Sequence, residues 1–212
     1  MWKRAFDVVG SLAGLVLLSP LLLFVAACVK LSSRGPVLFT QERIGRGLRP
    51  FFIYKFRSMV ADAPCQGAWI TVGEDPRITR VGAILRKLKI DELPQLINVL
   101  KGEMSFVGPR PEVRKYVNLF CRDFEEILQV RPGITDLASI CYCDEAAILG
   151  RAEDPEAEYA RRVLPRKIRL ARAYLRKGSL WFDLVLIART LLVLIAKRRI
   201  HGCRKHVPCV HH

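Results

Sequence analysis

From Val8 to Val29 the chain runs for 22 residues, VVGSLAGLVLLSPLLLFVAACV, without a charge. At about 1.5 Å of rise per residue, a helix of this length spans a bilayer core. The run is longer than a typical signal-peptide core, and no small-residue cleavage site leads into a polar start. Pro20 lies near its middle. Proline has no N–H, and its ring crowds the carbonyl of Val16, so the pattern predicts a bend or break at Ser19-Pro20, with the Ser19 hydroxyl able to bond a freed carbonyl. Lys3 and Arg4 precede the run and Lys30 and Arg34 follow it, so the excess of basic residues assigns no orientation. Two readings stay open: a kinked spanning helix, and a re-entrant helix, break and helix that returns both ends to one side.

Beyond the linker SSRGP the period changes. PVLFTQERIG and FFIYKFRSM read as two strands joined by RGLRP, with Ile53, Lys55 and Arg57 on one face of the second and Phe52, Tyr54 and Phe56 on the other. The hairpin therefore carries a cationic face, which is either functional or simply solvated. PRITRVGAILRK (76 to 87) predicts a short helix entered after Asp75-Pro76 and ending on Arg86 and Lys87. A second short helix follows, with Asp91 as N-cap, Pro94 in the first turn, Leu93, Leu96, Ile97 and Leu100 as its apolar positions and Gly102 as its stop. In LPRKIRLARAYLRKGSL, Leu164, Ile168, Ala171 and Leu175 form a stripe against Arg162, Arg166, Arg169, Arg172 and Arg176, which predicts a basic amphipathic helix. WFDLVLIARTLLVLIAK (181 to 197) is a second apolar helix. Asp183 and Arg189 interrupt it, and a central arginine costs about 2.5 to 3.5 kcal/mol on insertion, which favours an interfacial or buried helix over a crossing.

Composition sharpens this picture. A chain of 212 residues suits one domain, and a hydrophobic fraction of 51% beside a net charge of +15 points to a membrane surface. The charge is uneven: 14 basic against 7 acidic residues in 1 to 100, 7 against 12 in 101 to 160, and 14 against 1 in 161 to 212. Anionic lipid is the partner this C-terminal section suggests. Nucleic acid is the rival, but the chain has no interleaved aromatic motif or helix-turn-helix signature. Seven cysteines without framework spacing indicate a reduced, cytosol-facing protein. Cys203, His206, Cys209, His211 and His212 lack finger spacing and read as a flexible tail rather than a metal site.

The candidate chemistry lies in LKIDELPQLINVLKGEMSFVGPRPE (88 to 112). Asp91 and Glu92 stand together at a helix start, where a carboxylate can act as a nucleophile or hold Mg²⁺, or where Asp91 simply caps the helix. Arg110 is stiffened by a proline on each side and presents a guanidinium that matches phosphate oxygens. Carboxylates, Mg²⁺ and several cations together suit phosphoryl transfer.

With these residues in place, the chain resembles the bacterial sugar transferase family, the monotopic polyprenyl-phosphate phosphoglycosyl transferases. The resemblance runs from KRAFDVVGSLAGLVLLSP through GPVLFTQERIGR, YKFRSM, DPRITRVGAILRK, DELPQLINVLKGEMSFVGPRPE and RPGIT to the LP, Y and WFDL landmarks near the end. The length is similar to that of the minimal members, which lack an extra N-terminal membrane domain. The resemblance implies transfer of a sugar 1-phosphate from a UDP-sugar to a polyprenyl phosphate, release of UMP, a need for Mg²⁺, and a place in surface glycoconjugate synthesis. It implies Asp91 as nucleophile, Glu92 as its assistant, both as metal ligands, Arg110 as phosphate clamp, and Lys55 and Arg86 as further phosphate contacts. It also implies re-entry at Ser19 and Pro20 and an active site on the cytoplasmic face. A non-enzymatic membrane scaffold or lipid-binding protein is the alternative. One departure stands out: after RPGIT this chain reads Asp136-Leu137-Ala138-Ser139, where relatives usually place Gly and later Gln. The expected fold is α+β and mostly helical, with a re-entrant membrane helix over 1 to 34, a catalytic domain of a small hairpin and amphipathic interfacial helices over 35 to 200, and a tail over 201 to 212.

Overall fold

A computed structural model describes residues 2–60, 75–141 and 149–199; the Cys and His tail lies outside them. The uncharged run forms helix α1 (Trp2–Ser32), which continues through Pro20 instead of breaking there. Ser19 supplies the reason. Its Oγ donates to Val16 O at 2.8 Å, and that is the carbonyl which the missing Pro20 amide would have served.

α1 buries a narrow stripe of Asp7, Ser11, Val25 and Val29 and exposes Val16, Leu17, Leu23 and Phe24. Gly10 and Gly14 allow the close approach, since a Cβ on Gly10 would stand 2.9 Å from the Phe106 ring and one on Gly14 would stand 3.2 Å from Leu96. Both ends of α1 are fastened to the same body. At the first, Arg4 donates to Val99 O at 2.6 Å and Leu100 O at 2.9 Å, Asp7 accepts from Ser105 Oγ at 3.0 Å, and Lys3 Nζ donates to Asp183 Oδ2 at 2.6 Å. At the second, Val25 and Val29 pack with Phe56 and Leu85, and Arg57 donates to Ser33 O at 2.7 Å.

Strands β1 (Leu38–Ile44) and β2 (Pro50–Phe56) form the expected antiparallel hairpin, in register from Leu38 opposite Phe56 to Ile44 opposite Pro50. Its cationic face is turned inward: Ile53 and Arg57 are buried, and Lys55 bonds a carboxylate of the interior. Helix α2 (Arg80–Leu88) starts later than the sequence suggests, because Thr79 caps it by accepting from Gly82 N at 2.9 Å. A Cβ on Gly82 would come within 1.9 Å of Ser58 O, so α2 lies directly on the chain leaving β2. Helix α3 (Gln95–Lys101) stops at Gly102 with φ +88°, the left-handed position that glycine adopts freely.

β3 (Ser105–Val107) pairs in parallel with β4 (Gly133–Thr135), and between them lie α4 (Arg114–Leu119) and α5 (Cys121–Ile127). After α6 (Leu137–Cys141), α7 (Pro155–Glu158) passes through one π-helical turn into α8 (Leu164–Lys177), and α9 (Leu180–Arg199) follows. The amphipathic α8 faces protein rather than lipid: Leu164, Ile168 and Ala171 join Phe124, Ile127, Leu128 and Tyr159 in the largest core cluster. Over residues 180–193, α9 buries Asp183 and Leu186 and exposes Trp181, Leu191 and Leu192. Among the described residues only α1 is long and apolar enough to cross a membrane. The structure is thus mostly helical with one small hairpin and one membrane-type helix.

Asp183, the acid that interrupts α9, is almost fully buried and binds both Lys3 and the Tyr174 hydroxyl, at 2.6 and 2.7 Å. Burial, then the Asp183 carboxylate, push the Tyr174 phenol up, so it stays protonated and donates. Lys3→Ala and Asp183→Ala are each expected to lose about 2 kcal/mol. Chemical denaturation in detergent should show the double variant costing clearly less than the sum; simple additivity would mean that the two side chains are not coupled.

Candidate active site

The short connection between α2 and α3 shapes the site. α2 ends on Lys89, a non-glycine residue at φ +58°, and Ile90–Glu92 then form a 3₁₀ turn. Asp91 is therefore not the N-cap that the sequence suggested. Pro94 holds the cap position with no side-chain bond, and the amides of Glu92, Leu93, Leu96 and Ile97 already donate to main-chain carbonyls. A carboxylate that has no amide to bond is left over: Asp91 is buried and its Oδ1 has no hydrogen-bond partner.

Glu92 is treated in the opposite way. Its Oε1 accepts from Lys55 Nζ of β2 at 2.8 Å and from Arg110 Nη2 at 3.1 Å. Arg110 reaches it from the Gly108 to Pro111 loop, and that loop is pinned on both sides. Gly108 N donates to Thr135 O at 3.1 Å, Gly133 N to Pro109 O at 3.0 Å, and Arg43 Nη1 to Pro111 O at 3.3 Å. Gly108 must be glycine, because its Cβ would stand 2.3 Å from Arg131 O.

These surroundings separate the two acids. Burial first, and then the Glu92 charge, raise Asp91 above the usual aspartate range. For Glu92 burial acts in the same upward direction, but Lys55, Arg110 and Lys89 outweigh it and hold the carboxyl well below its ordinary value. Burial pushes Lys55 below its ordinary value despite the carboxylate beside it. Arg86, in the last turn of α2, acts on Asp91 through its charge. Of the residues named from sequence, Glu92, Lys55 and Arg110 are in direct contact, Asp91 adjoins them in the same turn, and Ser19 and Pro20 lie apart in α1.

The sequence did not reveal a second polar layer behind Arg110. Arg43 on β1 bonds Gln41 Oε1 at 2.8 Å and lies 3.6 Å from Glu112, and the Tyr159 hydroxyl donates to Glu112 Oε1 at 2.5 Å. Lys167 Nζ donates in turn to Tyr159 at 3.3 Å. These partners come from β1, the loop before α4, the π-helical turn and α8, and no local spacing signals such a meeting. The departure at Asp136 has a local explanation: its Oδ1 accepts from Ser139 N at 2.7 Å and from the Ser139 hydroxyl, capping α6.

Among the described residues no group of three or more His, Cys, Asp or Glu side chains could hold a metal. Mg²⁺ does not need one, because it is commonly held by one or two carboxylates with substrate phosphates and water. Asp91 and Glu92, with the unpartnered Asp91 oxygen, fit that smaller requirement. Two carboxylates with separated proton affinities, facing several cations at a partly open loop, suit chemistry on a phosphate.

The family model described as bacterial sugar transferase matches residues 1–197. The UDP-N-acetylgalactosamine-undecaprenyl-phosphate N-acetylgalactosaminephosphotransferase of Aeromonas hydrophila is 41% identical over 196 residues, covering 91% of this chain and 43% of that protein. The undecaprenyl-phosphate glucose phosphotransferase of Komagataeibacter xylinus is 43% identical over 196 residues, covering 89% of this chain and 35% of that protein. The exopolysaccharide production protein ExoY of Sinorhizobium fredii is 36% identical over 211 residues, covering 92% of this chain and 86% of that protein. The chain thus spans less than half the length of the first two relatives and most of the third. A match over nearly every residue, on a structure that brings the central motif together around Glu92, means that the chain belongs to the bacterial sugar transferase family.

Proposed function

We propose that this chain moves a sugar 1-phosphate from a UDP-sugar to a polyprenyl phosphate at the cytoplasmic face of a bacterial inner membrane. The observation that carries the proposal is the contrast between the two acids: Glu92 is ionised and shared by Lys55 and Arg110, while Asp91 keeps an oxygen with no partner. The names of the Aeromonas and Komagataeibacter relatives support the undecaprenyl phosphate acceptor, and their sugars differ.

In this mechanism Asp91 is the nucleophile. One of its oxygens bonds to the phosphorus next to the sugar as the bond from that phosphorus to the bridging oxygen breaks, and UMP leaves with the electron pair. An oxygen of the polyprenyl phosphate then attacks the same phosphorus, the aspartyl oxygen departs, and the carboxylate is restored. Lys55 and Arg110 are held in place by Glu92 before substrate arrives, so they meet phosphate oxygens without reorganising. Arg86 adds positive charge beside Asp91. Mg²⁺, which family membership implies, would be held by Asp91 and Glu92 and would neutralise diphosphate charge.

The fastening of α1 supports re-entry. Its two ends bind one polar body, Lys3, Arg4 and Asp7 at the start and Val29 and Ser33 at the finish. A spanning helix would have to carry one of those attachments through the bilayer. The exposed apolar face between them, Val16 to Phe24, is the part immersed in lipid, with Pro20 inside the continuous helix.

Asp91→Asn is expected to cut UMP release from a UDP-sugar and undecaprenyl phosphate by roughly 10³-fold or more; turnover near that of the parent would remove the nucleophile assignment. The same variant should be more stable in EDTA at neutral pH. A raised proton affinity in the folded state means that ionised Asp91 opposes folding; the effect is full above the folded value and vanishes below the ordinary value of 3.8. Melting curves should therefore show a gain at pH 7 that closes as the pH falls towards 4, and a gain that grows instead would contradict the sign. For topology, Trp2→Cys and Arg34→Cys, in a background free of other cysteines, should react with an impermeant reagent from the same side of sealed vesicles. Labelling from opposite sides would mean that α1 crosses.

A further inference from the structure

At the turn end of the hairpin a cavity of about 530 Å³ opens between the turn, Gly102 at the end of α3 and the segment leading into β4. Its charged lining is Arg46, Arg49, Arg131 and Glu103. Glu103 is already engaged, since its Oε2 accepts from Asn98 Nδ2 at 2.7 Å. None of the three arginines forms an ion pair among the described residues. Two of them are nonetheless fixed. Arg46 Nε donates to Gln129 O at 3.0 Å and Arg131 Nε to Gly102 O at 2.7 Å, so each guanidinium is oriented through a main-chain carbonyl. A guanidinium held by Nε keeps its Nη pair for the planar, bidentate recognition of phosphate.

Cations crowd one another here. Partial burial, then the charges of Arg4 and Arg46, hold Arg131 below its ordinary value. A cluster of oriented, mutually repelling cations is relieved by an anion. The cavity is distinct from the catalytic turn: Phe51 lines it, and Lys55 lies four residues further along β2, about 13 Å away. Its position indicates the source of the anion. Gly102 forms part of the wall, and a Cβ there would stand 3.2 Å from Arg4, the residue that begins the apolar helix beside the exposed Trp2. On the reading of α1 as a re-entrant helix, which this inference takes from the proposed function, that places the cavity at the depth of lipid headgroups.

We infer that the cavity formed by Arg46, Arg49 and Arg131 holds the phosphate of an anionic phospholipid headgroup beside the start of α1. The basic α8, the region that charge counting singled out for lipid, commits its Arg172 to Asp123 and Glu126 of α5 instead.

The test uses the full chain in a zwitterionic detergent, with lipid retention followed by native mass spectrometry. The parent is expected to retain phosphatidylglycerol in preference to phosphatidylcholine. Arg46→Gln with Arg131→Gln should weaken that retention by roughly 30-fold, from about fivefold for each basic residue at an anionic surface. Arg166→Gln with Arg169→Gln on α8 should leave it unchanged. Equal retention by the cavity variant, equal loss in the α8 variant, or no preference between the two lipids would each overturn the assignment. Displacement of phosphatidylglycerol by inorganic phosphate or UMP at comparable concentration would also overturn it, by making the ligand a free phosphate. UMP release measured on the same preparations keeps the two proposals separate: lipid retention without UMP release would defeat the transferase reading alone, and UMP release with no lipid preference would defeat this one alone. Normal UMP release by the cavity variant shows that it is folded.

Discussion

A helix with outer faces made for hydrocarbon has to be locked to a body made for water, and the whole structure depends on that attachment. Apolar packing, such as that of Val25 and Val29 on Phe56 and Leu85, supplies only part of it, because lipid competes for the same side chains. Polar contacts supply the rest at the first end. Asp7 is buried against Ser105, Arg4 occupies the last carbonyls of α3, and Lys3 reaches Asp183. Val99 O already accepts from Gly102 N at 3.0 Å and takes the arginine as a second donor, while Leu100 O lies in the last turn, where a helix leaves carbonyls without donors of its own. Small residues then let the two surfaces close, Gly10 on Phe106 and Gly14 on Leu96.

That attachment also sets the frame of the Asp91 and Glu92 turn. α3, gripped by Arg4 at one end, carries the Asp91 and Glu92 turn at its other end, and β2 brings Lys55 across to it. The two neighbouring carboxylates then have different tasks. Glu92 absorbs two cations, which satisfies a buried charge and fixes the cations at once. Asp91 keeps an oxygen without a hydrogen-bond partner, and burial with the Glu92 charge outweighs the nearby cations and makes its ionised form costly. An acid in that condition is poorly suited to holding a fold together and well suited to bonding an electrophile.

Periodicity made much of this legible. The uncharged run, the alternating strands, the left-handed stop at Gly102 and the amphipathic stripe of α8 all follow from local spacing, and the structure has each of them. Spacing could not say what an apolar stripe faces. Leu164, Ile168 and Ala171 would look the same against lipid as they do against Phe124 and Leu128. Nor could it separate a capping Asp91 from one left over by a 3₁₀ turn, because Pro94 is compatible with both. The layer of Arg43, Glu112, Tyr159 and Lys167 was invisible, since its members meet only after distant elements have docked. Glu92, Lys55 and Arg110 were named from the motif, but their shared oxygen became apparent only in three dimensions.

The contact between Lys3 and Asp183 joins residues 180 positions apart. At typical translation speeds of about 5 to 20 residues per second, the ribosome delivers α1 roughly ten seconds or more before the acid that completes its anchorage exists. During that interval the nascent helix can already settle into the bilayer, while the polar groups meant to hold its first turn still wait for their partners. The sequence separation thus makes closure of the protein around its first helix a late event of synthesis.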